Sequence, residues 1–95
     1  MITATEARLN VANFQLDRYN RVYALVEKVI PELDECVQLH SKNGHSEATV
    51  RPYEESHFPF IDQCLASEMI DRILTQNGYE VVTNDYKKNI LKFKW

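Results

Sequence analysis

Apolar residues in the first part of the chain recur at alternating steps of three and four residues. This spacing places them along one side of a helix and predicts a single long helix with one apolar stripe. The residues on it are Leu9, Ala12, Leu16, Tyr19, Tyr23, Val26, Ile30, Leu33 and Val37. Thr3 stands three residues before Glu6, the spacing at which the two side chains cap each other's free backbone amides. The helix is therefore predicted to begin at Ala4.

Pro31 interrupts this helical pattern. Its ring nitrogen cannot donate to the carbonyl group four residues earlier, and the ring collides with the preceding turn. Acidic residues follow it directly, and a proline with acidic residues in the next turn is also how a new helix starts. We therefore expect a kink or a restart near Pro31, and an end at Asn43-Gly44, where glycine can adopt the left-handed cap conformation.

The middle of the chain predicts a strand, a loop and a second helix. Residues 45–53 alternate in the manner of a strand, and Pro52, which lacks an amide donor, favours an edge position or a strand end. The loop that follows is expected to bring Phe58 and Phe60 onto the core. The second helix is predicted within Ile61–Gln76, and a second Asn-Gly pair ends it.

The C-terminal residues predict a β-hairpin with strands at Tyr79–Thr83 and Ile90–Trp95. Side chains alternate between the two faces of a sheet, so a shared core face requires an odd loop of five or seven residues. The residues expected on that core face are Tyr79, Val81, Thr83, Leu91, Phe93 and Trp95. In either register Glu80 faces a lysine, Lys92 or Lys94, and this cross-strand charge pair supports the hairpin.

These elements indicate an α+β fold. We expect a long N-terminal helix, a strand, a second helix and a C-terminal β-hairpin, with the helices covering a small three-stranded antiparallel sheet. Residues 1–95 are predicted to form a single domain, from which residues 4–30 extend as a candidate oligomerisation helix.

The predicted first helix is too long for the domain that carries it. Residues 4–30 span about 40 Å at 1.5 Å per residue, whereas a compact chain of this length has a radius of gyration of about 12 Å. Its apolar residues then need a partner, so we expect a homo-oligomer or a docked complex. The predicted interface consists of Leu9, Ala12, Leu16, Tyr19 and Tyr23. The alternative is a chain that folds back at Pro31 and covers itself.

Composition and charge exclude several classes of protein. A net charge of −3 argues against general affinity for nucleic acid, which normally requires clustered lysine and arginine. No apolar run approaches the roughly 20 residues that cross a bilayer, and the N-terminus has neither a basic nor an apolar signal region. We therefore expect no membrane association and a protein that stays where it is made. Cys36 and Cys64 are expected to remain reduced within apolar helical patterns.

The sequence offers no candidate catalytic, metal-binding or cofactor-binding residues. Its histidines, His40, His45 and His57, match no metal-ligand spacing with either cysteine. The carboxylate pairs lack a neighbour that would separate their pKa values, and no nucleophile or phosphate-binding motif is present. The prediction is a protein that is not an enzyme. Three arginines of the first helix, Arg8, Arg18 and Arg21, are expected to be solvated and to pair with Asp17 on the exposed surface.

A lysine cluster near the C-terminus is the most suggestive chemical feature. It consists of Lys87, Lys88, Lys92 and Lys94, with Tyr86 in the same loop. Basic and aromatic groups on one sheet face can bind a nucleotide-like anion. The alternative is that lysines on an exposed strand prevent it from pairing with the edges of other sheets.

The last third of the chain resembles small proteins encoded by phages and large DNA viruses. The residues that carry the resemblance are Ile70, Leu74, Asn77, Gly78, Tyr79 and Val81, followed by Asn89, Ile90, Leu91, Phe93 and the terminal Trp95. The resemblance implies a viral accessory protein or a minor virion component in the cytoplasm of a host cell. It transfers positions in the core and no functional residues.

These observations lead to one expected function and one alternative. We expect a non-enzymatic viral accessory protein that self-associates through its long helix and binds a host or viral protein. The alternative is an oligomer of anti-defence type that sequesters a nucleotide-like anionic ligand through the lysine cluster, or a minor virion component.

Overall fold

Six elements follow one another along the chain of the computed structural model, which describes all residues from Met1 to Trp95. They are helix α1 (Ala4–Lys42), strand β1 (Glu47–Val50), a 3₁₀ turn (Phe60–Asp62), helix α2 (Gln63–Gln76), strand β2 (Glu80–Asp85) and strand β3 (Ile90–Lys94). The predicted α+β fold, with a long first helix, a second helix and a three-stranded antiparallel sheet, is confirmed.

Helix α1 begins and ends where the sequence predicts, at Ala4 and Lys42. The Thr3 hydroxyl oxygen accepts a hydrogen bond from the Glu6 amide at 3.1 Å, which caps the first turn. The helix then passes through Pro31 as one element, so the chain does not restart there. Pro31 and Glu27, whose carbonyl group loses its donor, are both exposed, and water can bind the free carbonyl.

Both helices end with the same local chemistry. The side-chain amides of Asn43 and Asn77 donate to the carbonyl groups four residues earlier, at 2.9 and 2.8 Å. The next residues, Gly44 and Gly78, have φ values of +81° and +87°. This left-handed conformation strains any residue with a Cβ, so each glycine ends its helix where the sequence predicts.

Strand β3 is the central strand of the sheet, and β1 and β2 are the edges. It pairs antiparallel with β1, where Ala48 faces Phe93, and with β2, where Val81 faces the same phenylalanine. Glu80 faces Lys94, so the predicted charge pair across the hairpin is confirmed. Because β3 is central, its lysines do not protect an exposed edge.

A β-bulge between Val81 and Thr83 corrects the predicted hairpin register. The half of the hairpin away from the turn pairs as predicted, with Val81 opposite Phe93. The extra residue of the bulge, Val82, moves Thr83 off the core face and places Asn84 opposite Leu91. The strands then extend to Asp85 and Ile90, and the turn between them has an even rather than an odd number of residues. The prediction was wrong here because simple alternation takes no account of a bulge.

The core lies between the two helices and one face of the sheet. Its buried apolar residues form one cluster: Val22, Val26, Val29, Leu33, Ala48, Tyr53, Phe58, Ala66, Met69, Ile70, Leu74, Leu91 and Phe93. Phe58 is buried as predicted, whereas Phe60 is 76% exposed, so the expectation that it packs on the core was wrong. The 3₁₀ turn after Pro59 directs Phe60 outward while Asp62 points inward.

Tyr53 is buried, although the strand alternation put it on the opposite face from Val50 and Pro52. Strand β1 ends at Val50, so the alternation no longer applies at Tyr53. Its hydroxyl group donates to the Asn84 side-chain oxygen, and the Asn84 amide donates to the Ser67 carbonyl at 2.9 Å. This network joins the segment after β1 to β2 and α2.

Trp95 lies at the rim of the core. Its ring centroid is 6.3 Å from that of Tyr79 and 6.1 Å from that of Phe93, and the side chain is 38% exposed. Its amide donates to the Ser46 carbonyl at 3.0 Å. The residue therefore faces the core side of the sheet, as predicted, but closes its edge instead of filling its centre.

The N-terminal half of α1 extends beyond the rest of the molecule. The longest dimension is 63 Å, close to the length of about 58 Å for a straight helix of 39 residues. The radius of gyration is 16.5 Å, against about 12 Å for a compact chain of this length. The first fully buried residue of α1 is Val22. We call residues 4–21 the rod and residues 22–95 the body. The helix does not fold back at Pro31.

Candidate functional site

The residues predicted to form an interface lie along one side of the rod and continue into its junction with the body. We call Leu9, Ala12, Leu16, Tyr19 and Tyr23 the leucine–tyrosine stripe. Leu9 and Leu16 are 60% and 58% exposed, each tyrosine is 41% exposed, and Ala12 is also exposed. Farther along the helix, Ile30 and Leu33 of the same heptad pattern line a cleft against α2. The chain therefore covers only the C-terminal part of its own apolar seam.

The C-terminal end of the stripe, at Tyr19 and Tyr23, borders a cleft against α2. The rings of Tyr19 and Tyr23 are nearly parallel, with an interplanar angle of 11° and centroids 6.4 Å apart. A cleft of about 160 Å³ separates them from α2, and its lining residues are Tyr19, Tyr23, Met69, Arg72, Ile73 and Gln76. This cleft lies at the level where the rod leaves the body.

An ion pair between two partly exposed arginines and one buried carboxylate joins the rod to the body. Asp62 is 1% exposed, and its carboxylate accepts hydrogen bonds from Arg18 Nε at 3.3 Å and Arg21 Nη2 at 3.0 Å. Arg18 also donates to the Ile61 carbonyl at 2.8 Å. The expectation that these arginines pair with Asp17 was wrong, because their carboxylate partner is Asp62. Sequence reasoning missed Asp62 because its partners lie more than forty residues away, although an aspartate directly before an apolar helix was a signal.

A second apolar surface lies beside this ion pair. It consists of Phe14, Phe60 and Ile61, which are all well exposed, and we call it the phenylalanine patch. Phe14 precedes Arg18 by one helical turn and so lies on the same side of α1. Two residues along a helix rotate by about 200°, so Phe14 lies opposite Leu16. The rod therefore presents two apolar surfaces on opposite sides.

A polar strip separates the two surfaces on one side of the rod. Its residues fall within about a quarter of the helix circumference at 3.6 residues per turn. They are Glu6, Asn10, Asn13, Asp17 and Asn20, and all are exposed. This division into apolar and polar strips is typical of a helix that packs against another protein surface.

The structure does not bring the lysine cluster together into one anion-binding site. Lys92 lies 3.8 Å from a Glu47 carboxylate oxygen, and Lys94 lies 3.3 Å from one of Glu80. Lys87 and Lys88 occupy the turn beyond the opposite end of β3, where their backbone amides donate to the Asp85 carboxylate. The lysines are therefore spread along the hairpin, and the two strand lysines already face carboxylates.

The cysteines and histidines do not converge on a reactive centre. Both cysteines are free, and burial raises the pKa of the Cys36 thiol, which disfavours the thiolate. His40 Nδ1 lies 2.8 Å from the Cys36 carbonyl oxygen. His57 Nε2 lies 3.7 Å from a Glu32 oxygen. No three His, Cys, Asp or Glu side chains lie close enough together to hold a metal ion.

The largest cleft lies between α2 and β2, with a volume of about 410 Å³. It is a wide, shallow depression with polar walls, formed by Ser67, Glu68, Asp71, Arg72 and Asn84. Asn84 is already bonded to Tyr53 and Ser67. The Ser67 hydroxyl donates to the Cys64 carbonyl at 2.7 Å and not to either carboxylate of the cleft.

Comparison of the chain with protein-family models, curated protein sequences and solved structures finds no match. Neither helix has the length and apolar character required to cross a membrane.

Proposed function

We propose that this protein is a non-enzymatic protein-binding module whose working surface is the rod. It self-associates through the leucine–tyrosine stripe and binds a host or viral protein. The observation that carries the proposal is a row of apolar side chains, 41–60% exposed at its large residues, on a helix that extends past its own core.

Exposure of this row of apolar side chains to water is energetically unfavourable. Burying apolar surface contributes about 25 cal/mol per Å², and contiguous exposed patches usually mark sites of protein association. Single exposed leucines are ordinary, but here every stripe position of the rod is exposed. The rod has the heptad spacing of a packed helix, but no element of its own chain covers it. We propose that the surface of a second protein covers it.

The phenylalanine patch provides a place for a different partner. It lies across the rod from the stripe, so self-association leaves it free. Because Arg18 and Arg21 share one carboxylate, the ion pair next to the patch carries a net positive charge. An apolar segment with acidic flanks suits this combination. The setting we propose, from the resemblance of residues 70–95, is a viral accessory protein in the cytoplasm of a host cell.

Light scattering at about 100 µM tests the self-association, since a small helical interface of this kind is expected to dissociate in the micromolar range. The unmodified protein should be an oligomer, and Leu16→Glu should make it monomeric, because the new charge loses its hydration in the interface. Asn10→Glu introduces the same charge on the polar strip and should leave the oligomer intact. A monomeric unmodified protein would remove this part of the proposal.

A pull-down from the cells that make the protein tests the second partner. The variant Phe60→Ser/Ile61→Ser should lose captured proteins that the unmodified chain retains. Val82→Ser is the matched control, since Val82 is an exposed apolar residue far from the rod on β2. Equal capture by all three chains would contradict a role for the patch.

The second candidate function is sequestration of a nucleotide-like anion, and Lys87 and Lys88 favour it because both are exposed and neither ammonium group pairs with a carboxylate. A thermal shift screen with nucleotides and cyclic dinucleotides tests it, because a ligand at 100 times its dissociation constant stabilises by about 2.7 kcal/mol. Lys87→Ser/Lys88→Ser should abolish that shift. A role as a minor virion component remains a third proposal, to be tested by analysis of purified particles.

A further inference from the structure

We propose that the partner of the leucine–tyrosine stripe is a second copy of this chain, running antiparallel, with a two-fold axis at the level of Phe14. The inference rests on the proposed self-association and specifies its geometry. In this arrangement each rod lies along the other, and the two bodies stand at opposite ends of the dimer.

The exposed part of the seam allows only one antiparallel register. Facing residues in such a pair have numbers that add to a constant, so moving the register by one heptad changes every contact. The register that uses the whole exposed seam pairs Thr5 with Tyr23, Leu9 with Tyr19, and Ala12 with Leu16. The register one heptad further on would place Leu9 against Val26, which is fully buried in its own body. The register one heptad back would leave Tyr23 without a facing residue and place Tyr19 against Ile2, which precedes the helix.

This register is complementary in size. Each tyrosine faces a smaller residue of the other copy, and Leu16 faces Ala12, so bulky and small side chains alternate along the interface. Well-packed helix interfaces are built in this way. Because the two helices are identical, each contact occurs twice and one surface suffices for both copies.

The residues that flank the seam are also compatible. Across the pair, Asn13 lies beside Asn13 and Gln15 beside Gln15 of the other copy, and Glu6 lies beside Asn20. At the remaining flanking position Val22 is buried in its own body, so Arg8 of the other copy lies beside that body and not beside an exposed rod residue. No two like charges on the rods face each other, so the register avoids the repulsion that excludes many alternatives.

The cleft beside Tyr19 and Tyr23 decides between the two orientations. In a parallel pair the tyrosines of both copies would meet at this level, where α2 of each copy already borders the seam. Paired helices have axes 8–10 Å apart. In a parallel pair both bodies would begin at the same level along the rods, and α2 of each copy would lie beside the shared seam. In the antiparallel pair, only the first turns of the other rod reach this level, and the side chains of Thr5 and Leu9 face the cleft.

Mixed disulfide formation tests the orientation. Both native cysteines are first replaced, Cys36→Ala and Cys64→Ser, and light scattering confirms that this background is dimeric. Leu9→Cys is made in unlabelled protein and Tyr19→Cys in ¹⁵N-labelled protein, so mass spectrometry separates mixed from identical pairs. Asn10→Cys replaces Leu9→Cys in the control mixture, since it lies on the polar strip.

The expected result is a mixed disulfide at least about ten times more abundant than either identical pair, because a disulfide needs Cβ atoms about 4 Å apart. The control mixture should give none. Identical pairs in excess would establish a parallel dimer and overturn the inference while the proposed self-association stands. A dimer without any disulfide would place the interface elsewhere and also overturn it. A monomeric background would overturn both proposals.

Discussion

The rod and the body divide one helix between them, and they use the same sequence pattern to different ends. From Val22 onward, α1 buries Val22, Val26, Val29 and Leu33 against α2 and the sheet. In the rod, positions of equivalent spacing remain exposed. A three-and-four spacing therefore identifies which side of a helix is apolar, but it does not say whether the same chain or another chain covers that side.

Charged side chains form the boundary between the rod and the body. Arg18 and Arg21 reach from the last turns of the rod to a carboxylate buried at the start of α2. Bonds from two successive turns to one group fix the direction of α1 relative to α2. The ion pair thus fixes the direction in which the rod leaves the body.

The largest expected effect separates a body leucine from a rod leucine. Leu91 is 0% exposed and Leu9 is 60% exposed. Leu91→Ala should lower the free energy of unfolding by about 3 to 5 kcal/mol, because it removes buried methyl groups and leaves a cavity. Leu9→Ala should change it by less than about 0.5 kcal/mol at concentrations where the chain is monomeric. Urea denaturation at about 1 µM measures both; equal losses would show that the monomer covers its rod.

The next largest effect comes from the boundary. Arg18→Met/Arg21→Met leaves the Asp62 carboxylate buried without a cation and should cost about 3 kcal/mol of stability. Asp62→Asn removes the buried charge together with the pairing, and the arginines it frees can reach water, so it should cost only about 1 to 2 kcal/mol.

Urea denaturation of the two variants at neutral pH provides the comparison. Circular dichroism is the appropriate signal, because it reports the helix that the ion pair holds. If the aspartate variant were the less stable of the two, the carboxylate would matter through contacts other than its arginines.

The smallest effect concerns the network within the body. Tyr53→Phe removes the donor to Asn84 and should cost about 1 kcal/mol at neutral pH. Burial raises the pKa of the Tyr53 phenol above its ordinary value of about 10. The folded protein then retains a proton that the unfolded chain loses, so stability falls as pH rises above about 10.

Unfolding measured at pH 8 and pH 10.5 tests this pH dependence. The Tyr53→Phe variant should lose less stability over that interval than the unmodified chain. Tyr79→Phe, at an aromatic contact on the rim of the core, serves as the control and should keep the full dependence. A parallel decline in all three would assign the alkaline loss to other groups.

Local chemistry made much of the fold predictable. The cap at Thr3, the two Asn-Gly ends and the Glu80–Lys94 pair depend on residues close in sequence or directly across a hairpin. The missed features depend on distant partners. The bulge brings Asn84 to Tyr53, thirty-one residues away, and Asp62 turns inward to arginines forty-one and forty-four residues away. Phe60 lies in the same 3₁₀ turn as Asp62 and is exposed.

The stripe residues could be predicted as a group from spacing alone, and the structure places all of them on one exposed side. The phenylalanine patch could not, because it combines a residue of α1 with two from a turn far along the chain. The lysine cluster is close in sequence, but Lys87 and Lys88 lie in the turn, while Lys92 and Lys94 lie on β3 next to carboxylates of the two neighbouring strands.

The position of Trp95 gives the molecule a built-in optical probe. As the only tryptophan, it dominates the intrinsic fluorescence, and its aromatic neighbours, Tyr79 and Phe93, both belong to the sheet region. Its emission should therefore follow the loosening of the sheet edge and stay constant when two rods separate. Fluorescence recorded during dilution would then report the integrity of each subunit independently of the association between them.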